Sequence, residues 1–291
     1  RDPAGAAGGP HVKVFNGITD GTSNTVFNSI TDGTSNTFFD IFADPPDPDS
    51  YTREHVLLAR QVGARDREHL ARGRAGVGRD DQDRLADAKG ASVDPITVSV
   101  VAHRLRAIVE EMGEAMLRTS YSQILNSSRD FSTAICDASS RLIAQAEHVP
   151  VHVGAMTWAA RAVAERFAGD VHQGDVFLLN DPYHGGNHLP DVTAFVPVFI
   201  GGEHRYWSIN RAHQSDIGGA THGAYNPSAT EIWQEGLRIP PIRLYEKGRL
   251  RDDLLDMIAL NVRHARDFRG DLAAMVGSAR LAEKRLHELA A

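Results

Sequence analysis

The chain of 291 residues contains 42% hydrophobic residues, 31 basic side chains and 38 acidic side chains, giving a net charge of −7. This balance excludes the clustered positive charge of a nucleic-acid-binding surface. No run of eighteen apolar residues predicts a membrane span, and the single cysteine excludes an internal disulfide framework and favours a reducing, cytoplasmic compartment.

The first part of the chain carries a repeat followed by a charged stretch. Residues 14–25 and 26–37 differ at one position, and each copy places an Asp-Gly turn signal after a short apolar segment. Two copies are too few for a self-supporting solenoid, so a duplicated turn is the favoured interpretation. Residues 43–92 are dense in Arg and Asp and poor in apolar residues, which predicts disorder or a loose helix. We therefore predict a disordered extension over 1–92 and a folded domain over 93–291.

The folded part alternates helical and strand patterns in an irregular order. Asp94 followed by Pro95 is typical of a helix N-terminus, and apolar spacings of three and four then predict a helix to about Thr119. The further predicted elements are a hairpin over 131–146, a helix over 153–167, strands at about 175–180, 192–200 and 204–210, and helical periodicity over 251–290. This order indicates an α+β fold with a mixed sheet and flanking helices.

The densest chemistry lies in the loop after an apolar strand. Two histidines, two aspartates and a pair of glycines fall within eleven positions there, and the four polar residues are Asp181, His184, His188 and Asp191. Loops at strand ends can bring side chains together, and glycines let the backbone bend sharply. Imidazoles with carboxylates are suited to Zn, Mn or Fe. The alternative is a structural turn in which an aspartate caps the backbone and a histidine packs against its neighbours. The presence of two histidines and two aspartates disfavours this alternative.

Two further clusters contain the same residue types. His213 and Asp216, followed by paired glycines, stand at the end of another predicted strand, and His148 and His152 follow the hairpin. The hypothesis that follows is that three histidine-bearing loops converge on one site.

Several lesser candidates receive structural interpretations. Cys136 has no basic neighbour to lower its pKa, which favours a buried structural thiol over a nucleophile. Arg129 and Asp130 are interpreted as an ion pair at the entry of the hairpin. All three tryptophans are predicted to lie in the core, namely Trp158, Trp207 and Trp233.

Seven motifs then occur in a fixed order: Asp94-Pro-Ile-Thr, Arg129-Asp-Phe-Ser, Gln145-Ala-Glu-His-Val-Pro-Val-His, Asn180-Asp-Pro-Tyr-His-Gly-Gly, His188-Leu-Pro-Asp, Ala212-His with Asp216-Ile-Gly-Gly, and Gln234-Glu-Gly-Leu-Arg-Ile-Pro-Pro. With these motifs, the sequence from about Asp94 to Leu286 resembles the N-terminal part of the hydantoinase B/oxoprolinase family. That family includes the B subunits of N-methylhydantoinases, the C-terminal half of 5-oxoprolinase and the large subunit of acetone carboxylase. Residues 1–92 match nothing in it.

The resemblance implies an ATP-dependent reaction on cyclic amides, or on ketones in the carboxylase branch. It implies a divalent-metal site for Mn, Zn or Fe with the ligands His188, Asp191 and His213. The resemblance also implies an A-type partner with an actin-like fold that binds ATP, in agreement with the lack of a Gly-rich phosphate loop in this sequence. Four other residues would then orient the ligands or transfer protons, namely His148, Asp181, His184 and Asp216.

Three functions stay open at this point. The first is a metal-binding subunit of a cyclic-amide hydrolase of the hydantoinase or 5-oxoprolinase type. The second is a subunit of a ketone carboxylase that shares the metal site and differs in the reaction. The third is a non-catalytic, truncated fragment, because members of the family are much longer than the matching part of this chain.

Overall fold

The computed structural model describes residues 94–291, in which helices flank a seven-stranded sheet. In chain order the elements are α1 (Pro95–Thr119), α2 (Gln123–Asn126), β1 (Phe131–Asp137), β2 (Leu142–Glu147), α3 (Pro150–Arg166), β3 (Val176–Leu179), β4 (Asp191–Ile200), β5 (Glu203–His213), β6 (Ile242–Glu246), β7 (Arg249–Leu250), α4 (Asp252–Leu260) and α5 (Ala265–Ala290). Two short 3₁₀ turns lie in loops, at Pro182–His184 and Ile232–Gln234. The predicted extension over 1–92 lies outside the described residues.

The strands follow the order β2-β1-β5-β4-β3-β6-β7. All six pairs of neighbouring strands in this order are antiparallel. The α+β class is therefore confirmed, and the sheet, which was predicted to be mixed, is antiparallel. Consecutive strands β1–β2 and β4–β5 form hairpins, which require antiparallel pairing. The long β4–β5 hairpin runs from the pair Ile200 and Glu203 to the pair Asp191 and His213. Polar residues at the open end of this hairpin are therefore held side by side.

Both faces of the sheet are covered by helices. One face packs against α3 through side chains such as Cys136, Phe177 and Trp207. The other face packs against α1 and α5 through the side chains that alternate with these along the strands, such as Ile135 and Val192. Because both sets of side chains are buried, β1 and β4 contain continuous apolar and small residues rather than a polar–apolar alternation.

The N-terminus of α1 forms as its sequence predicts. The carboxylate of Asp94 accepts hydrogen bonds from the backbone nitrogens of Ile96 and Thr97, and Pro95 occupies the first helical position. The hairpin and the strands at 176–179, 191–200 and 203–213 confirm the predicted elements within a few residues. Strands β6 and β7 were not predicted, and the helical stretch predicted over 251–290 is divided into α4 and α5.

The single cysteine and the three tryptophans separate into buried and exposed side chains. Cys136 is buried in β1, and this burial, with the nearby charge of Asp137, raises the pKa of the thiol to about 12, as a structural role requires. Trp207 is buried, but the core prediction was wrong for Trp158 and Trp233. Trp158 lies on the outer side of α3 and Trp233 in a 3₁₀ turn, where the sheet does not cover them. No helix within residues 94–291 is long and apolar enough to cross a membrane.

Candidate metal centre

The three predicted metal ligands meet at the open end of the β4–β5 hairpin. Asp191 is the first residue of β4 and pairs with His213, the last residue of β5. His188 Nε2 lies 2.8 Å from Asp191 Oδ1, and His213 Nδ1 lies 3.0 Å from the same oxygen. Potential ligand atoms of the three side chains lie within 4.8 Å of one another. The sheet register therefore brings together residues that are 22 positions apart in the sequence.

The chemistry of this cluster fits a divalent metal. Two imidazole nitrogens and one carboxylate oxygen form a borderline donor set that Zn, Fe and Mn accept. The side chain of Asp191 is 2% exposed and that of His213 is 13% exposed, whereas His188 is 41% exposed. The cluster is thus anchored on a buried carboxylate and accessible from the side of His188, which suits a site with positions for water or substrate.

The second carboxylate oxygen of Asp191 has its own partners. His152 Nε2 lies 3.1 Å from Oδ2, and the side-chain amide of Asn187 donates to Oδ2 at 3.1 Å. Asp191 therefore accepts from four side chains, two on each oxygen. Sequence reasoning placed His152 in a nearby cluster and Asn187 beside a candidate ligand, but it assigned neither residue a role.

The partners of Asp191 also set the charge of the cluster. Burial alone raises the pKa of Asp191, but hydrogen bonds from His152, His188 and His213 outweigh burial and hold it well below its ordinary value. Burial lowers the pKa of His188, and the hydrogen bond and charge of Asp191 outweigh that effect and raise it. In the metal-free protein Asp191 is consequently ionised, and a proton on His188 competes with a metal.

A further carboxylate lies beside the cluster. Asp130 Oδ1 is 3.6 Å from His152 Nε2, and Asp130 Oδ2 is 3.9 Å from His213 Nδ1. The carbonyl oxygen of Asp130 also accepts from the backbone nitrogen of His213 at 3.0 Å. Asp130, which was interpreted from the sequence as the partner of Arg129, therefore faces His152 and His213.

Arg211 lies fully buried beneath the loop that carries His188. Its guanidinium donates to the carbonyl oxygen of Gly185 at 2.9 Å and to Asn187 Oδ1 at 2.6 Å, while Nε donates to Thr193 Oγ1 at 2.7 Å. Burial lowers the pKa of Arg211 to about 10, against the opposing effect of the charge of Asp191, so the side chain stays charged at neutral pH. Arg211 therefore attaches the loop to the sheet.

Asp181 and His184 form a hydrogen-bonded pair at the start of the same loop. Asp181 accepts from the backbone nitrogen of Tyr183, and its Oδ2 lies 2.9 Å from His184 Nδ1. Arg238 donates to the same oxygen at 2.9 Å. Burial raises the pKa of Asp181, but the hydrogen bonds from Arg238 and His184 outweigh burial and lower it. An ionised aspartate that fixes one nitrogen of an imidazole is a typical arrangement for proton transfer at the other nitrogen.

Comparison with known proteins identifies the family. The family model described as Hydantoinase B/oxoprolinase matches residues 94–291, which is the whole described part of the chain. The chain belongs to the hydantoinase B/oxoprolinase family. The resemblance stated from the seven sequence motifs is thereby confirmed.

Relatives within the hydantoinase B/oxoprolinase family include amide hydrolases. Caprolactamase subunit beta of Pseudomonas jessenii is 38% identical over 198 residues, covering 68% of this chain and 34% of that protein. The 5-oxoprolinase of Saccharomyces cerevisiae is 37% identical over 164 residues, covering 56% of this chain and 13% of that protein. The chain thus spans about a third of the length of the caprolactamase subunit and a smaller share of the oxoprolinase.

Two solved structures in the comparison share the fold. The ATP-dependent caprolactamase from Pseudomonas jessenii superposes with a TM-score of 0.65 at 38% identity, covering 68% of this chain and 34% of that chain. The nucleotide-free acetone carboxylase superposes with a TM-score of 0.64 at 23% identity, covering 67% of this chain and 26% of that chain. The likeness to the carboxylase is one of fold alone.

Asp216 and His148, which the family resemblance assigned to the site, have contacts with residues other than Asp191. Asp216 accepts from Arg263 through a side-chain bond at 2.8 Å and a backbone bond at 2.7 Å. Burial raises the pKa of Asp216, and these bonds outweigh burial and lower it. The ring of His148 is exposed and stacks on Phe131 with centroids 4.6 Å apart. Neither residue is among the four side chains bonded to Asp191.

Gly185 is required for the loop to approach α3. Its φ is +87°, and an added Cβ would lie 2.4 Å from the backbone nitrogen of Ala159. An alanine in the left-handed conformation costs ~1–2 kcal/mol. We expect Gly185→Ala to lower the free energy of unfolding by clearly more than this cost, because the added Cβ also clashes with α3. Gly223→Ala is the matched control, because Gly223 has φ +92° and nothing within 4 Å of an added Cβ. Urea denaturation compares the two variants, and equal losses would contradict the close approach.

Proposed function

We propose that this chain provides the metal-binding part of an ATP-dependent cyclic-amide hydrolase of the hydantoinase or 5-oxoprolinase type, and that it acts in the cytoplasm. The observation that carries the proposal is the convergence of His188, Asp191 and His213 within 4.8 Å. The names of the relatives support the reaction class, since caprolactamase and 5-oxoprolinase are both hydrolases of cyclic amides.

The proposed assembly includes an A-type partner that binds ATP. The relatives include a subunit of a caprolactamase and an ATP-dependent caprolactamase, which supports a reaction divided between subunits. An amide oxygen is a poor leaving group, and phosphorylation by the partner would make attack at the carbonyl carbon feasible. The metal, when bound, would supply Lewis acidity toward an oxygen that gains negative charge, or hydroxide near neutral pH.

The residues of this chain have separate tasks in the proposal. His188 Nε2, Asp191 Oδ1 and His213 Nδ1 bind the metal. His184 moves a proton at Nε2, because Nδ1 is fixed by Asp181 at 2.9 Å. Arg238 keeps Asp181 ionised and thereby keeps the imidazole in one orientation.

The remaining predicted groups have supporting tasks. Asp216 holds the loop after β5 through its two bonds to Arg263. The ring of His148 packs on Phe131, the first residue of β1. We assign proton transfer to His184 and Asp181, because Asp181 fixes Nδ1 of the imidazole at 2.9 Å.

The test combines metal analysis with turnover. The chain, purified alone and with an A-type partner, should contain about one Mn, Zn or Fe ion per molecule. The complex should open a cyclic amide with consumption of ATP. Carboxylation of a ketone with labelled bicarbonate, without amide hydrolysis, would replace the proposal by the carboxylase alternative. Well-folded protein without metal would contradict it outright.

His184→Gln separates proton transfer from metal binding. We expect kcat to fall by roughly 10²–10⁴-fold, because general acid–base catalysis is lost, while the metal content is unchanged. The matched control is His287→Gln, an exposed histidine in the last turn of α5, for which kcat should be unaffected. A His184 variant with full activity would remove this residue from the mechanism.

A further inference from the structure

His152 lies beneath the metal centre, in the first turn of α3. Its side chain is 2% exposed, and Nε2 lies 3.1 Å from Oδ2 of Asp191. This is the carboxylate oxygen that His188 and His213 do not contact. His152 therefore contacts the ligand of the cluster from the buried side.

The other ring nitrogen of His152 is unusual. Nδ1 is buried and has no hydrogen-bond partner in the part of the chain that the structure describes. Because the ionised carboxylate of Asp191 only accepts, the ring proton is assigned to Nε2. A buried polar atom without a partner is unfavourable, and an apolar side chain of similar size would avoid it. The feature that distinguishes histidine from such a side chain here is the hydrogen bond to Asp191.

The backbone around His152 is tied to the same set of contacts. Its carbonyl oxygen accepts from Arg211 at 3.4 Å, and the same guanidinium nitrogen donates to Asn187 at 2.6 Å. Asn187 in turn donates to Asp191 Oδ2 at 3.1 Å. Both donors to Oδ2 are thus held by Arg211, and the carboxylate is fixed with Oδ1 toward His188 and His213.

We propose that His152 is a positioning residue of the metal centre, which fixes the carboxylate of Asp191 through Nε2 so that Oδ1 is presented to the metal. This inference rests on the proposed metal-binding function. Partners that orient a ligand without touching the metal commonly change metal affinity by about 10- to 100-fold. Asp130, whose Oδ1 lies 3.6 Å from Nε2, is the other carboxylate that faces His152.

The test measures the affinity of the full chain for Co²⁺ by its visible absorption, with Zn²⁺ in competition. His152→Met keeps the bulk and removes the donor, so the affinity should fall about 10- to 100-fold. His152→Gln is the matched variant, because its amide nitrogen reaches the place of Nε2, and it should recover most of the affinity. A role in packing alone would instead lower the thermal midpoint of the metal-free protein and leave the affinity of the folded protein unchanged.

The outcomes separate this inference from the proposed function. Wild-type protein that binds no Co²⁺ removes the metal site and the inference together. Wild-type protein that binds Co²⁺, with His152→Met binding equally well, removes only the inference. A changed Co²⁺ coordination number in the methionine variant would make His152 a ligand and also overturn the positioning role. If His152→Met does not fold, His152→Asn replaces it, because the amide nitrogen of asparagine reaches only the place of Nδ1. Unchanged metal affinity of His152→Asn would then overturn the inference.

Discussion

Replacement of Asp191 by asparagine is expected to weaken metal binding strongly. Asp191 is the only anionic member of the ligand trio, and its Oδ1 is the atom that both histidines face, at 2.8 and 3.0 Å. A structural zinc site with four protein ligands contributes an apparent 10–16 kcal/mol, or about 3–4 kcal/mol per ligand. The loss of this ligand should therefore weaken binding by roughly 10²–10³-fold, as measured by Co²⁺ titration and elemental analysis.

Asp175→Asn is the matched control for this substitution. Asp175 is also fully buried and lies just before β3, where it accepts from the backbone nitrogens of His172 and Lys247. It is not part of the ligand trio. Asp175→Asn should keep its metal affinity even if it lowers stability, and an Asp191→Asn protein with unchanged metal affinity would refute the assignment.

The same substitution gives a second readout in the metal-free protein. The hydrogen bond and charge of Asp191 raise the pKa of His188 against the opposing effect of burial. With asparagine in this place the charge is lost, so the pKa of His188 should fall. A pH titration followed by NMR of the imidazole ring measures this directly. An unchanged pKa would mean that the two side chains are not in contact in solution.

The sequence predicts those parts of the fold that local signals determine. Asp94 and Pro95 predict the start of α1 because capping and a fixed φ act within one turn. His188 and Asp191 are recognised together because they lie only three positions apart in the sequence. Strand β6 was missed because its five residues mix charged and apolar side chains and resemble a loop.

Contacts between distant segments had no such signal. Asp130 was assigned to Arg129, its neighbour in sequence, yet it faces His152 and His213 across the sheet. Asp216 lies between a histidine and a pair of glycines, a pattern like that around the candidate ligands, but Arg263, 47 positions away, is its partner. A pattern of residue types identifies candidates, and the register of the sheet decides which of them meet.

Arg211 is the clearest case of a residue whose importance depends on long-range packing, and Arg211→Met is expected to be strongly destabilising. The substitution keeps an unbranched side chain but removes the donor to the carbonyl oxygen of Gly185, to Asn187 Oδ1 and to Thr193 Oγ1. Each buried group left unsatisfied costs ~1–3 kcal/mol, so the free energy of unfolding should fall by several kcal/mol. Urea denaturation of the metal-free protein measures this loss.

Two further variants test the cause of that loss. Arg211→Lys keeps the charge but cannot reproduce the planar fork, so it should restore only part of the stability. Arg205→Met removes an exposed arginine paired with Glu203 and should change stability by less than ~1 kcal/mol. If Arg211→Met were equally mild, the loop of His188 would not depend on the guanidinium. If it is as costly as expected, metal affinity should fall with stability, because Asn187 and His152 hold Asp191 only while Arg211 holds them.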